Sequence, residues 1–265
     1  WGELAIKMAY EAGFDGVQLG DGGGSMHAYP LRDRRVQEYY LQAGSDYHIS
    51  FPQIHLYTLG HQCYYRSRLD TLEGQTCLES IKQGVIAASE MGVPSVIIDG
   101  MRMNNAAKRH HIFQVAQYAV RIGEEYGIQI GMETDMSMED HISFLDALDG
   151  KLKLCFDAHN PVMYGTGYPP DMIRTLGKDR IDHFHVKESQ ANEDGFLSVE
   201  TPIVLLGEGC TFFRESAQAV KDIGYEGWIV SENFYFRPNI LAKGYDYVSA
   251  AKRDVKTIHA IYGTD

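Results

Sequence analysis

Short apolar runs alternate along the chain with longer stretches of helical periodicity. The runs are Asp15-Gly-Val-Gln-Leu19, Phe51-Pro-Gln-Ile-His-Leu-Tyr57, Pro94-Ser-Val-Ile-Ile-Asp99, Ile128-Gln-Ile-Gly-Met-Glu133, Leu152-Lys-Leu-Cys-Phe-Asp157, Ile181-Asp-His-Phe-His-Val186 and Trp228-Ile-Val-Ser-Glu232. Each has strand length, is rich in β-branched or aromatic residues, and is flanked by Gly, Pro, Asp or Asn. The opening stretch, Trp1 to Phe14, reads as an amphipathic helix. Helices are also predicted over Thr76 to Gly92, Asn105 to Gly127 and Phe212 to Gly224, each closing on Gly. Three helices end on nearly one phrase: Glu-Ala-Gly-Phe-Asp-Gly at 11–16, Ala-Ser-Glu-Met-Gly-Val-Pro at 88–94 and Lys-Asp-Ile-Gly-Tyr-Glu-Gly at 221–227. In each the Gly is positioned to cap the helix before a short loop turns into a strand.

Strands separated by helices of this length argue for βαβ units and a parallel sheet. The predicted fold class is α/β, a (β/α)8 TIM barrel formed by 1–265 as one domain. The length of 265 residues fits, since such barrels run to about 250. A closed barrel needs eight strands and seven are readable. The first strand is therefore expected upstream of Trp1, or supplied in some other way. The competing arrangement, an open doubly wound sheet, calls for a Gly-rich phosphate turn. The Asp21-Gly-Gly-Gly-Ser25 run lacks the GxGxxG spacing and reads as a loop.

Charge narrows the function. With 24 basic and 36 acidic residues the formal net charge is −12. Bulk attraction to nucleic acid or to an anionic membrane is thereby disfavoured. No apolar run reaches the roughly 18–20 residues of a membrane span, and no signal-peptide pattern opens the chain. The cysteines at 63, 77, 155 and 210 form no CxxC pair. They read as reduced thiols in a cytoplasmic protein.

The candidate chemistry lies at the strand ends, where barrels of this type carry their active sites. Those ends read His55, Asp99, Glu133, Asp157, His185 and Glu232. Singly, each has a structural explanation: an Asp closing a strand caps a turn, and a strand His packs in a core or rim. Gathered at one mouth, uncompensated carboxylates would repel one another, and a divalent cation removes that cost. Carboxylates with one imidazole form a hard, oxygen-rich donor set. That favours Mn2+ or Mg2+, with Co2+, Fe2+ and Zn2+ as alternatives.

The sequence resembles the xylose-isomerase-like barrel superfamily of sugar phosphate isomerases and epimerases. The segments that carry the resemblance are Gly131-Met-Glu133, Cys155-Phe-Asp-Ala-His159, His183-Phe-His-Val-Lys187, Leu206-Gly-Glu-Gly209 and Trp228-Ile-Val-Ser-Glu232. The resemblance implies one metal, Mn2+ foremost, held by Glu133, Asp157, His185 and Glu232. It also implies that Glu133 and Glu232 face opposite sides of the substrate carbon and exchange its proton. His55 aligns with a rim histidine used for metal or substrate. The ketose 3-epimerases carry a His three residues after the metal-binding Asp and an Arg six residues after the metal-binding His. Here those positions are Asn160 and Ala191. Glu188, three after His185, is kept. The DNA-repair branch needs further histidines that this chain lacks.

Tyr57, His159, Asn160, Lys187 and Arg237 are candidates for binding substrate hydroxyls or a phosphate, because loops after barrel strands are often functional. For Lys187 the structural alternative is a salt bridge to Glu188 or a neighbour; for Arg237 it is an exposed loop charge. The aromatic clusters Tyr64-Tyr65, Phe212-Phe213 and Phe234-Tyr235-Phe236 suit packing, and the last also suits stacking on a sugar or an aromatic aglycone. The leading expectation is a metal-dependent sugar isomerase or epimerase that removes a proton beside a carbonyl through a metal-bound enediolate. The alternative is a lyase on the same chemistry, resembling inosose dehydratases or the barrel subunits of 3-oxo C-glycoside deglycosidases. A non-catalytic barrel is the third reading. The expected partners are a small sugar, polyol or glycoside, and either further copies of the chain or a smaller second subunit.

Overall fold

The computed structural model describes residues 2–20, 29–57, 59, 67–101, 103, 106–192, 197 and 201–263. The Asp21–Ser25 run, Cys63, Tyr64-Tyr65 and Asn105 lie outside the described residues. Helix α1 (Gly2–Ala12) leads to β1 (Leu19–Gly20), α2 (Arg34–Asp46) and β2 (Gln53–His55). Then come α3 (Leu72–Met91), β3 (Ser95–Gly100), α4 (Ala106–Tyr126), β4 (Gln129–Thr134), α5 (Met138–Asp146) and β5 (Leu152–Asp157). Next are α6 (Asn160–Tyr164), α7 (Pro169–Leu176), β6 (Ile181–Val186), β7 (Glu188–Ser189) and β8 (Ile203–Val204). The chain closes with α8 (Phe213–Asp222), β9 (Ile229–Ser231), α9 (Pro238–Leu241) and α10 (Tyr247–Tyr262).

Seven strands form one sheet in the order β1-β2-β3-β4-β5-β6-β9, every neighbouring pair parallel. This curled parallel sheet with helices outside it is the TIM-barrel architecture expected from the sequence. The pair β7 and β8 forms a separate antiparallel ribbon that the periodicity does not reveal, since each strand has two residues. Strands β3 to β6 are buried almost throughout, as parallel strands covered by helices must be. Their outward residues, among them Val96, Ile98, Ile130, Met132, Leu154 and Phe184, join helix residues such as Ile81, Val85, Val115 and Ala119 in one core.

Helix boundaries follow local chemistry. Helix α3 begins earlier than its apolar periodicity indicates, because the Thr71 hydroxyl accepts the Gly74 amide as an N-cap. Such a cap contributes about 1 kcal/mol. Gly92 ends the same helix at φ 70°, a left-handed conformation that costs glycine least. Strand β1 is shorter than expected. Among the described residues, its first half pairs with the sheet through the bridge between Gly16 and Ser50. Gly16 packs beneath Trp228, where an added Cβ would come within 2.8 Å of the indole ring.

Among the described residues β1 and β9 are the two edges of the sheet. Residues 229–231 of β9 are half-buried, unlike the longer strands β3 to β6. A cavity of about 750 Å³ lies between these edges, lined by Val17, Gln18, Trp228, Ile229, Val230 and Tyr262 among others. It falls where a further strand of an eight-stranded barrel would run. No described helix is long and apolar enough to cross a membrane.

Candidate functional site

Parallel pairing sets side chains of adjacent strands level with one another. Asp99 is in register with Glu133, Asp157 with His185, and His185 with Val230. Glu232 follows β9, its amide donating to Val186 O at 3.0 Å. The inward, carboxyl-end positions of β4, β5, β6 and β9 thus place Glu133, Asp157, His185 and Glu232 around one point. One oxygen from each of Glu133, Asp157 and Glu232 lies within 4.8 Å of the others. His185 Nδ1 stands 3.5 Å from Glu133 Oε2 and 3.6 Å from Glu232 Oε2, with no hydrogen bond to either.

The site is buried. His185 is 0% exposed and Asp157 3%. Lys187 reaches into it from the end of β6. Its Nζ lies 2.6 Å from Asp157 Oδ2 and 2.6 Å from Glu232 Oε2. Three carboxylates therefore face at most two positive charges, those of Lys187 and a protonated His185. The excess negative charge in a dry setting, the bare His185 Nδ1 and the oxygen-rich donors fit a divalent cation.

Burial raises the Asp157 carboxyl to about 6, with Lys187 opposing the rise. Burial also works against ionised Glu232, yet Lys187 and His185 outweigh it and hold that carboxyl well below the usual range. In Glu133, burial and the Glu232 charge push upward, but His185 and Lys187 leave the group below its ordinary value. Lys187 stays charged: burial opposes its ammonium, while Asp157, Glu232 and Glu133 raise it well above the ordinary lysine value.

The remaining sequence candidates fall into two groups. His55 lies beside the centre, its ring 6.3 Å from that of His185 and 5.7 Å from that of Tyr57. Tyr57 is 49% exposed at the mouth. Burial, then the charges of Glu232, Asp99 and Glu133, push its phenol up. His159 is buried, with Nε2 2.8 Å from Ser189 Oγ, and burial brings its imidazole down to about 4. Asn160 donates from Nδ2 to Glu133 Oε1 at 2.9 Å. Arg237 does not reach these residues. Its guanidinium lies over Phe234 and Phe236, 5.3 Å and 5.7 Å from the ring centres. Asp99 turns to its own loop and accepts the Met101 amide at 2.8 Å. Glu188 faces away from the cluster and accepts the amides of Gly207 and Gly209, so Lys187 pairs with Asp157 and Glu232 instead.

Two neighbours of the centre were absent from the sequence candidates. Cys155 forms a second compact trio with Glu133 and His185, again within 4.8 Å. Positions 155 and 157 share a strand face, which was the available signal. Gln18 places its Nε2 3.0 Å from His185 Nε2; nothing in the segment Val17-Gln-Leu19 marks it beyond polarity.

Residues 6–252 match the family described as xylose isomerase-like TIM barrel. An inosose dehydratase of Klebsiella pneumoniae subsp. pneumoniae is 25% identical over 156 residues, 51% of this chain and 50% of that protein. The chain thus spans about half the length of the curated relatives it matches. Among solved structures, the IOLI protein with a bound zinc atom superposes with TM-score 0.77 at 16% identity, covering 98% of this chain and 92% of the other. D-psicose 3-epimerase with D-tagatose from Clostridium cellulolyticum H10 gives TM-score 0.75 at 13% identity, covering 98% and 93%. The chain belongs to the xylose isomerase-like TIM barrel family.

Proposed function

We propose that the protein is a divalent-metal-dependent enzyme that removes a proton beside a carbonyl of a small sugar or polyol, giving an isomer or epimer. The observation that carries this reading is the convergence of Glu133, Asp157 and Glu232 within 4.8 Å beside the bare Nδ1 of His185. These four residues would hold the metal, with Mn2+ or Mg2+ favoured by the oxygen-rich donor set and Co2+, Fe2+ or Zn2+ as alternatives. When bound, a divalent cation supplies Lewis acidity toward the substrate carbonyl.

The chain's own residues do the rest. A glutamate at the centre accepts the proton, since a carboxylate is a competent base only beside a polarised carbonyl. Lys187 balances the carboxylates and keeps Glu232 ionised. His159, buried with Nε2 beside Ser189 Oγ, would offer its Nδ1 to the substrate. Tyr57, half exposed, and His55, buried beside the centre, would meet substrate hydroxyls.

A second reading is elimination from the same start, with a group leaving the β-carbon. The similarity to inosose dehydratase favours keeping it. The test is metal content by elemental mass spectrometry on protein purified without chelator, beside Asp157→Ala. One equivalent of metal, lost in the variant, is expected. Activity on free ketoses, keto-inositols and 3-oxo glycosides then separates the outcomes. Absence of metal, with no thermal shift on adding Mn2+, would overturn the mechanism and favour a non-catalytic barrel.

A further inference from the structure

Among the described residues two cysteines are buried, Cys77 and Cys155. They are buried in different company. Cys77 belongs to the main hydrophobic core, with Ile81 and Val85. Cys155 does not, although its strand neighbours Leu154 and Phe156 do. Those two face the helices, and alternation along β5 turns Cys155 inward, to the side of Asp157.

Parallel pairing sets its level. Met132 of β4 is beside Leu154 of β5, so Glu133 and Cys155 follow next on the two strands. Cys155 is in register with His183 of β6, two residues before His185. One donor atom from each of Glu133, Cys155 and His185 therefore lies within 4.8 Å of the others. The His185 side chain is wholly buried and its Nδ1 has no hydrogen bond. A buried imidazole nitrogen without a partner, beside a sulfur and a carboxylate, points to a ligand.

Lys187 distinguishes this trio from the trio of carboxylates. Its Nζ lies 2.6 Å from Asp157 Oδ2 and 2.6 Å from Glu232 Oε2. Among the described residues it forms no ion pair with Glu133. A cation held by Asp157 and Glu232 must share their oxygens with an ammonium. A cation held by Glu133, Cys155 and His185 leaves that ammonium in place.

We propose that Cys155 is a thiolate ligand which, with Glu133 and His185, seats a borderline-soft divalent cation, so that the centre selects Zn2+ or Co2+ over Mn2+ and Mg2+. This rests on the metal-dependent reading above and names the residue that selects the metal. Glu133, Asp157, His185 and Glu232 alone make an oxygen-rich set; the sulfur shifts its preference. Cysteine sulfur, histidine nitrogen and carboxylate oxygen are all zinc donors, and three protein ligands leave a fourth position for water or substrate. Mn2+ and Mg2+ favour oxygen and gain little from sulfur. As the cation binds, the S–H bond breaks, its electron pair goes to the sulfur–metal bond and the proton leaves to solvent.

The test is the absorption spectrum of chelator-stripped protein reloaded with Co2+. A near-ultraviolet sulfur-to-cobalt charge-transfer band is expected beside the visible bands of bound Co2+. It should vanish in Cys155→Ala and Cys155→Ser and persist in Cys77→Ser. Competition titrations read the preference. Cys155→Ser should lower Zn2+ affinity by at least the about 10–100-fold that loss of a ligand's hydrogen-bond partner costs, and leave Mn2+ affinity nearly unchanged.

Bound Co2+ without the near-ultraviolet band overturns the role of Cys155 and leaves the proposed function standing. So does a band that survives both Cys155 substitutions, or an equal loss of Zn2+ and Mn2+ affinity in both. The wild-type spectrum decides even where a variant folds poorly. Failure of Co2+, Zn2+ and Mn2+ alike to bind overturns the proposed function and this inference together.

Discussion

Lys187 Nζ lies 2.6 Å from Glu232 Oε2, closer than the imidazole of His185 comes to the same oxygen. The same ammonium also reaches Asp157 at 2.6 Å, so a lysine occupies the carboxylate pair that a metal would share. A cation bound there would compete with the lysine for the same charge. Lys187→Met should therefore cost the metal-free protein about 3–5 kcal/mol, the usual effect of stranding buried charge. Saturating Mn2+ should return most of that, and Mn2+ should bind more tightly than to wild type. Melting curves with and without Mn2+ check this. An equal loss in both conditions would refute the competition.

Glu188 organises a loop instead of gripping substrate. Its Oε2 accepts the amides of Gly207 and Gly209, and its side chain is buried at 2% exposure. Charge-assisted bonds of this kind are among the stronger ones. Glu188→Ala should cost about 2–4 kcal/mol by leaving two amides without an acceptor. Faster proteolysis near 205–211 should accompany it. A denaturant midpoint equal to that of wild type would show that the loop holds itself.

His141 makes stability depend on pH. Its ring is 3% exposed, with Nε2 3.2 Å from Thr134 Oγ1, and burial lowers it from 6.5 to about 4. Between those values the unfolded chain binds a proton that the folded chain refuses. Stability is therefore fully present above pH 6.5 and falls as pH drops toward 4, by at most about 3 kcal/mol from this group. Chemical denaturation from pH 8 to pH 4 should show that fall, and His141→Gln should flatten it. An unchanged slope in the variant would assign the effect elsewhere.

Gly131 lies two residues before Glu133 on the inward face of β4. A Cβ there would collide with Ile97 Cδ1 and stand 3.3 Å from Asp182 Oδ2. Gly131→Ala should cost about 1–3 kcal/mol through overpacking. Adding Ile97→Val, which trims the colliding methyl, should recover part of it. Failure of the pair to recover anything would mean that the strand has shifted instead.

The periodicity alone carried the alternation of strands and helices, the parallel sheet and the positions of Glu133, Asp157, His185 and Glu232 at strand ends. It could do so because burial imposes a two-residue repeat on strands and a longer one on helices, and a polar residue closing an apolar run stands out against either. Partner choice is a different matter. Whether Lys187 pairs with Glu188, its neighbour in sequence, or with Asp157 and Glu232 on other strands depends on how the barrel curls. The same curl commits Asn160 to Glu133 and brings Gln18 and Cys155 to His185. These contacts join residues far apart along the chain, often across several strands, and a distance of that kind leaves no spacing to read. Local sequence determined which elements form and which carry charge at their ends; only the curl of the sheet, which brings separate strands to one point, decided which charges meet.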